Sequence, residues 1–252
     1  MRGFLRPVTE TDPRPDPDTD PTGAAYVRSF LWLRVLIGVA GVLLPVVLVL
    51  VDWLWFNGSP VPRDSESAYY YSGMRDVFVG VLFATSAFLL VYKIGEVNLE
   101  NLASVVAGIS AGAIALFPTL PPTDDVRPPL PPPTPLQQEL GITAVKTVHY
   151  AASGAFILML IVLSVMFGIR EGRRPRRPGN CSPAFWRAFH FGCSAAMVAA
   201  AIWIVATSGG AGPRWSLLLG EWVNGWAFGL SWLAKGAELD MLFGKTPVTP
   251  AD

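Results

Sequence analysis

Charge is scarce in this sequence. Only 15% of its 252 residues are Asp, Glu, Lys or Arg, where a soluble domain usually carries about 25%. That leaves too little polar surface to cover a water-soluble globule. Histidine is scarcer still: His149 and His190 are the only two, which argues against a metal centre built on several histidines. The two cysteines, Cys181 and Cys193, lie in a basic stretch and an apolar stretch. They read as small buried residues rather than a disulfide framework or a zinc site. The net charge of zero gives no reason to expect a nucleic-acid partner. Phosphate loops, dinucleotide fingerprints and a Ser–His–Asp ordering are also absent, so no cofactor is expected.

Apolar residues dominate instead, at 52%. The first 29 residues are the exception. There Asp12, Asp16, Asp18 and Asp20 alternate with Pro13, Pro15, Pro17 and Pro21, a composition that cannot bury a core and is expected to be a disordered tail. It contains no apolar signal-peptide core, so the first apolar run is expected to stay as a signal-anchor.

A membrane-spanning helix needs about 20 mostly apolar residues. Six segments qualify: Phe30–Trp53, Asp76–Tyr92, Leu102–Pro118, His149–Ile169, Phe185–Thr207 and Trp215–Ala234. The second is slightly short, and Glu221 and Asn224 interrupt the sixth, the weakest by hydropathy. The runs are continuous rather than alternating, which favours helices over barrel strands. Pro45 is expected to kink the first. The fold class read from this pattern is all-α: a polytopic six-span transmembrane bundle over residues 30–236, followed by a tail at 237–252.

Six spans sort the positive charges. Arg2, Arg6, Arg14, Arg28, Arg34, Lys93, Arg170, Arg173, Arg174, Arg176, Arg177, Arg187, Lys235 and Lys245 share one side. Arg63, Arg75, Arg127, Lys146 and Arg214 take the other, a split of 14 against 5 among the 19 Lys and Arg. The positive-inside rule then puts both termini in the cytoplasm of a bacterial plasma membrane. The loop 119–148 is an extracytoplasmic, polyproline-rich spacer. The loop 170–184 is basic, and Arg170–Arg177 are expected to attract anionic lipid head groups. Ala103, Ala107, Ala111 and Ala115 on the third span, with Gly108 and Gly112 beside them, form a small-residue face for close packing in mid-bundle. Gly192, Ala196 and Ala200 offer a similar face on the fifth. Such faces serve packing within the chain or a homo-oligomer seam. Asn98 fits the N-cap of the third helix, with Glu100 in its first turn.

Ionisable residues inside a membrane are functional candidates by default. Glu221 leads. Helical spacing aligns it with Asn224, Ser231 and Lys235 as a polar stripe facing the bundle interior, with Trp222, Trp226 and Trp232 mostly elsewhere. At the same outer level lie Asp52, the Tyr69–Tyr71 run, Arg75, Asp76, Lys146 and His149. The ligand-binding candidates are therefore Glu221, Asn224, Asp76, His149, Arg75 and Tyr71. Carboxylates with a histidine can bind a metal or relay a proton, and can equally form structural ion pairs with Arg75 or Lys146. No resident metal is expected.

The stretches SAYYYSGMRDVFVGVLFA (Ser67–Ala84), ENLASVVAGISAGAIALFPT (Glu100–Thr119), His149 and WAFGLSWLAKG (Trp226–Gly236) resemble those of an uncharacterised family of bacterial polytopic membrane proteins. The resemblance covers less than half of the chain and assigns no activity. There is also a similarity to the CREST membrane hydrolases, which carry a serine, an aspartate and three histidines around zinc. Asp76 and His149 match part of that set, and the remaining histidines are missing. The leading expectation is a non-enzymatic membrane protein that binds or passes a small ligand through its outer polar cluster. The alternative is a membrane-embedded, metal-dependent lipid hydrolase.

Overall fold

The computed structural model describes residues 21–92, 98–121, 132–173, 182–208 and 212–235, with backbone alone at 21–28. The acidic tail up to residue 20, most of the polyproline run, Arg174–Arg177, Cys181 and the tail from 236 lie outside the described residues. Two units are distinguished: residues 34–235, and residues 1–33 with 236–252. Of the second, only the opening turns of the first helix are described. All other described residues belong to the first unit.

Every described element is helical, and no strand occurs among the described residues. The helices are α1 (Pro21–Val51), α2 (Arg75–Val91), α3 (Leu99–Leu116), α4 (Pro135–Leu140), α5 (Ile142–Glu171), α6 (Pro183–Thr207) and α7 (Ser216–Ala234). Helices thus form at all six places where the apolar runs lie. Four are long and apolar enough to cross a membrane: α1 with its extension, as Ser29–Asn57, then α3, α5 and α6. The other two, α2 with 17 residues and the Glu221-bearing α7 with 19, fall outside that set. Leu36, Leu43, Leu50, Ile109, Leu158 and Ile202 are exposed. Such an apolar surface is compatible with a membrane protein.

The helix ends follow their sequences. α1 continues into a wide π turn, Asp52–Asn57. Gly58 closes it at φ +64°, donating its N–H to the Trp53 carbonyl at 3.0 Å. That left-handed position suits a residue without Cβ. Asn98 caps α3 by accepting from the Asn101 N–H at 2.9 Å. α4 follows the proline run, within the loop expected to be a polyproline-rich spacer. Thr134 and Gln137 form a reciprocal capping box, and Pro135 occupies the first turn, where its missing N–H costs nothing.

α3 lies between α2 and α5 and packs on both. Ala103, Ala107, Ala111 and Ala115 are all buried there. Gly108 lets α2 approach so closely that an added Cβ would sit 3.0 Å from the Ser86 carbonyl oxygen and the Leu90 nitrogen. Two hydroxyls bridge the seam: Ser86 donates to the Gly108 carbonyl and Ser104 to the Leu89 carbonyl, both at 2.7 Å. α5 packs on α6, and α6 on α7. The expected face of α6 is met in part. Ala200 is buried and Ala196 half-buried, while Gly192 faces open space; Cys193 and Met197 complete the packed stripe, which crosses the expected row at Ala200. Residue 193 is a free, buried thiol. α7 also meets α1: Trp226 donates its indole N–H to the Val42 carbonyl at 2.9 Å, and a Cβ on Gly229 would lie 3.1 Å from the Gly38 oxygen.

The polar stripe of α7 does face inward, with Asn224, Ser231 and Lys235 buried and Glu221 half-buried. Trp232 joins them instead of lying apart. It is fully buried and packs against Phe88, Tyr92, Phe167 and Phe228. Its neighbour Lys235 gives the nearby end of the unit a charged core. Lys235 and Arg170 both reach the fully buried Glu100 at 2.9 Å. Lys235 also donates to the Tyr92 hydroxyl at 2.7 Å and lies 4.2 Å from the Phe167 ring centre. Arg170, expected to face lipid head groups, pairs through its Nε with Glu100 while its side chain stays about a third exposed.

Candidate functional site

The segment after the π turn folds back over the start of α7, and ion pairs hold it there. Asp52 and Arg63, both buried, meet at 3.0 Å. A buried pair is weak evidence for stability, but it fixes where the chain turns. The Arg63 N–H donates to the Tyr69 hydroxyl at 3.3 Å, and burial pushes that phenol up to about 12. Asp64 pairs with Arg214, and its carbonyl accepts the Leu218 N–H at 3.0 Å, satisfying a first-turn donor of α7.

Two residues on, Glu66 is thereby set against Glu221. Its backbone N–H donates to Glu221 Oε2 at 2.5 Å. Burial pushes the Glu66 carboxyl up to about 8, because desolvation disfavours the charged carboxylate. One turn on from Glu221, the Asn224 amide nitrogen donates to the Gly220 carbonyl at 2.8 Å. That bond fixes which end of the amide is oxygen. Asn224 Oδ1 has no partner, nor does Glu66 Oε1.

These groups border a cavity of about 110 Å³. Its polar wall is Glu66, Ser67, Ser153, Glu221 and Asn224. Phe78, Leu82, Ile114, Phe156, Ile157 and Leu160 form the apolar wall. A water fills roughly 10–15 Å³ on such a measure, so there is room for several heavy atoms.

Behind this wall stands His149. Its Nδ1 lies 2.7 Å from the Phe117 carbonyl and its Nε2 lies 3.0 Å from Ser67 Oγ. A carbonyl only accepts, so Nδ1 carries the proton and Nε2 accepts a hydrogen bond from the Ser67 hydroxyl. The result is a hydroxyl on the cavity wall in contact with an oriented imidazole.

Two of the residues singled out by sequence, Glu221 and Asn224, line the cavity, and His149 reaches it through Ser67. The other three do not line it. Tyr71 donates to the Thr119 carbonyl at 2.6 Å and accepts from Gln137 at 2.9 Å, tying α4 to the bundle. Arg75 lies over the Tyr70 ring at 4.4 Å and donates to its hydroxyl. Asp76 is exposed in the first turn of α2, where a carboxylate suits the helix dipole.

Glu66, Ser67 and Ser153 were not among the expected residues. Glu66 lies two residues before the buried run Ala68–Tyr71, and no local pattern marks it. His190 sits in a different polar group, its Nδ1 2.8 Å from Ser231 Oγ, which meets Ser164 Oγ at 2.7 Å. Among the described residues no three His, Cys, Asp or Glu side chains converge as a metal site.

No protein-family model matches this chain, and neither does any curated protein or solved structure. What the fold and the cavity define is a class: an all-helical protein with four membrane-length apolar helices and an acid-walled cavity.

Proposed function

We propose that this chain is a multi-pass protein of a bacterial plasma membrane that binds or passes a small ligand through the cavity at Glu66 and Glu221. α2 and α7 complete six spans, and both termini are cytoplasmic, so the cavity opens on the extracytoplasmic half. The observation that carries the ligand reading is the pair of unpartnered acceptors, Glu66 Oε1 and Asn224 Oδ1, on residues that border the cavity. Buried polar atoms are nearly always satisfied, and an orphan calls for an explanation. A ligand that supplies the missing donors is one. The 14-to-5 charge split supports the orientation. The interrupted α7 is then a functional span, carrying its polar groups at the cost usual for such residues.

Glu221→Gln tests this reading, because glutamine keeps an acceptor for the Glu66 N–H. In a thermal-shift screen of metabolites and lipids, compounds that stabilise the native protein should lose much of their effect on the variant. Equal responses from both proteins across the screen would sink the role of Glu221.

A second reading rests on the Ser67–His149 contact. A hydroxyl bonded to an oriented imidazole is the core of many acyl hydrolases. A lipid hydrolase of this kind should react with a fluorophosphonate at Ser67, and the metal-dependent version should also purify with stoichiometric metal. Purified protein that shows neither rules this second reading out.

A further inference from the structure

We propose that the ligand of this cavity is an organic ammonium, with its nitrogen held by Glu66, Glu221 and Asn224 and a compact apolar body against Phe78, Leu82, Phe156 and Leu160. This rests on the reading of the cavity as a ligand site and names the class of molecule that fits it.

Three observations carry it. The first is the sense of the hydrogen bonds on offer. Glu66 Oε1 and Asn224 Oδ1 are unpartnered. The amide of Asn224, only 4% exposed, is locked with its oxygen free because its nitrogen is spent on Gly220. Each is an acceptor, and what an acceptor lacks is a donor. An ammonium brings up to three.

The second is charge. No Lys or Arg lines the cavity. The nearest arginines along the chain are engaged elsewhere, Arg63 with Asp52 and Arg75 on Tyr70. An anionic ligand would meet two carboxylates and no cation. A cationic one supplies the missing counter-charge, in a setting where low polarity strengthens the pairing.

The third is the rest of the wall, which is apolar. A hydrated inorganic ion would leave that surface facing its water shell. Calcium wants six to eight oxygens, more than two carboxylates, one amide and two hydroxyls supply singly. An amine on an apolar stem uses both halves of the cavity.

Proton linkage supports the assignment. With no ligand, burial raises the Glu66 carboxyl to about 8, so a proton takes the place of the missing cation. The titratable and charged groups packed around it are Glu221 on α7, His149 on α5 behind Ser67, Tyr69, and the Asp52–Arg63 pair. A bound ammonium should displace that proton.

Isothermal titration of the full chain in detergent micelles tests this, using isoamylamine, isoamyl alcohol, isovalerate, sodium chloride and calcium chloride as probes. The amine is expected to bind, with affinity rising between pH 6 and pH 8. The heat should depend on the buffer's ionisation enthalpy, as release of about one proton requires. Glu221→Gln should weaken binding roughly tenfold or more, the usual loss when a charge-assisted contact goes. Ser153→Leu, which fills the cavity without touching a carboxylate, should abolish it. If either variant fails to fold, the comparison of amine with alcohol on the native protein still decides. Alcohol or isovalerate binding as tightly as the amine overturns the ammonium assignment and leaves the ligand site standing. Calcium binding alone also overturns it, in favour of a metal site. If neither these probes nor any compound in the wider screen binds, the ligand-site reading itself falls.

Discussion

Glu66 shows how one side chain can set a pH response. A carboxyl raised to about 8 in the folded protein, against an ordinary value near 4.3 when unfolded, binds its proton more tightly in the fold. Its contribution to stability is therefore complete at low pH and is lost as pH rises through that interval. The melting temperature of the ligand-free protein should fall between pH 5 and pH 8, and Glu66→Gln should flatten the fall. A melting curve indifferent to pH in both proteins would contradict the protonated carboxyl. This residue was not legible in the sequence. It is flanked by serines in a connecting loop, and its burial follows from contacts made by others: the Asp52–Arg63 pair, the Asp64–Arg214 pair and the Leu218 N–H. Each is a tertiary partnership that no local pattern announces. Glu221 was legible, because a carboxylate within an apolar run is conspicuous wherever it ends up.

Helix by helix, much more could be read in advance. The apolar runs mark every long helix, and Asn98 caps α3 as its residue type predicts. The spacing of alanines on α3 located the most intimate seam. The same logic held only at Ala200 on α6, where Gly192 is open and Cys193 and Met197 pack instead, because several rows of small residues run side by side there. α4 was hidden by its prolines, although Thr134-Pro135-Leu136-Gln137 is a helix start in miniature. The contrast between the two glycines is testable. Gly108→Ala puts a Cβ 3.0 Å from backbone atoms of α2 and should destabilise by about 1–3 kcal/mol, the range for overpacking. Gly192→Ala meets nothing within 4 Å and should leave the melting temperature unchanged or raise it. Equal losses at both sites would show that the α2–α3 approach is looser than described.

At the scale of the whole molecule, topology and cavity are linked. Four helices have the length and apolarity to span a bilayer. The two that fall short, α2 and α7, contribute Phe78, Leu82, Glu221 and Asn224 to the cavity wall. The short α2 and the polar α7 thus share the cavity wall with α5, which adds Ser153, Phe156, Ile157 and Leu160. In the orientation proposed from the charge split, the cavity is reached from outside the cell. A single cysteine at position 153 tests it most directly, in a chain with Cys181 and Cys193 changed to serine and expressed in intact cells. A membrane-impermeant, positively charged thiol reagent added outside should label Ser153→Cys, and a bound ligand should protect it. Labelling that occurs only after the cells are permeabilised, or not at all, would contradict an outward-facing ligand cavity.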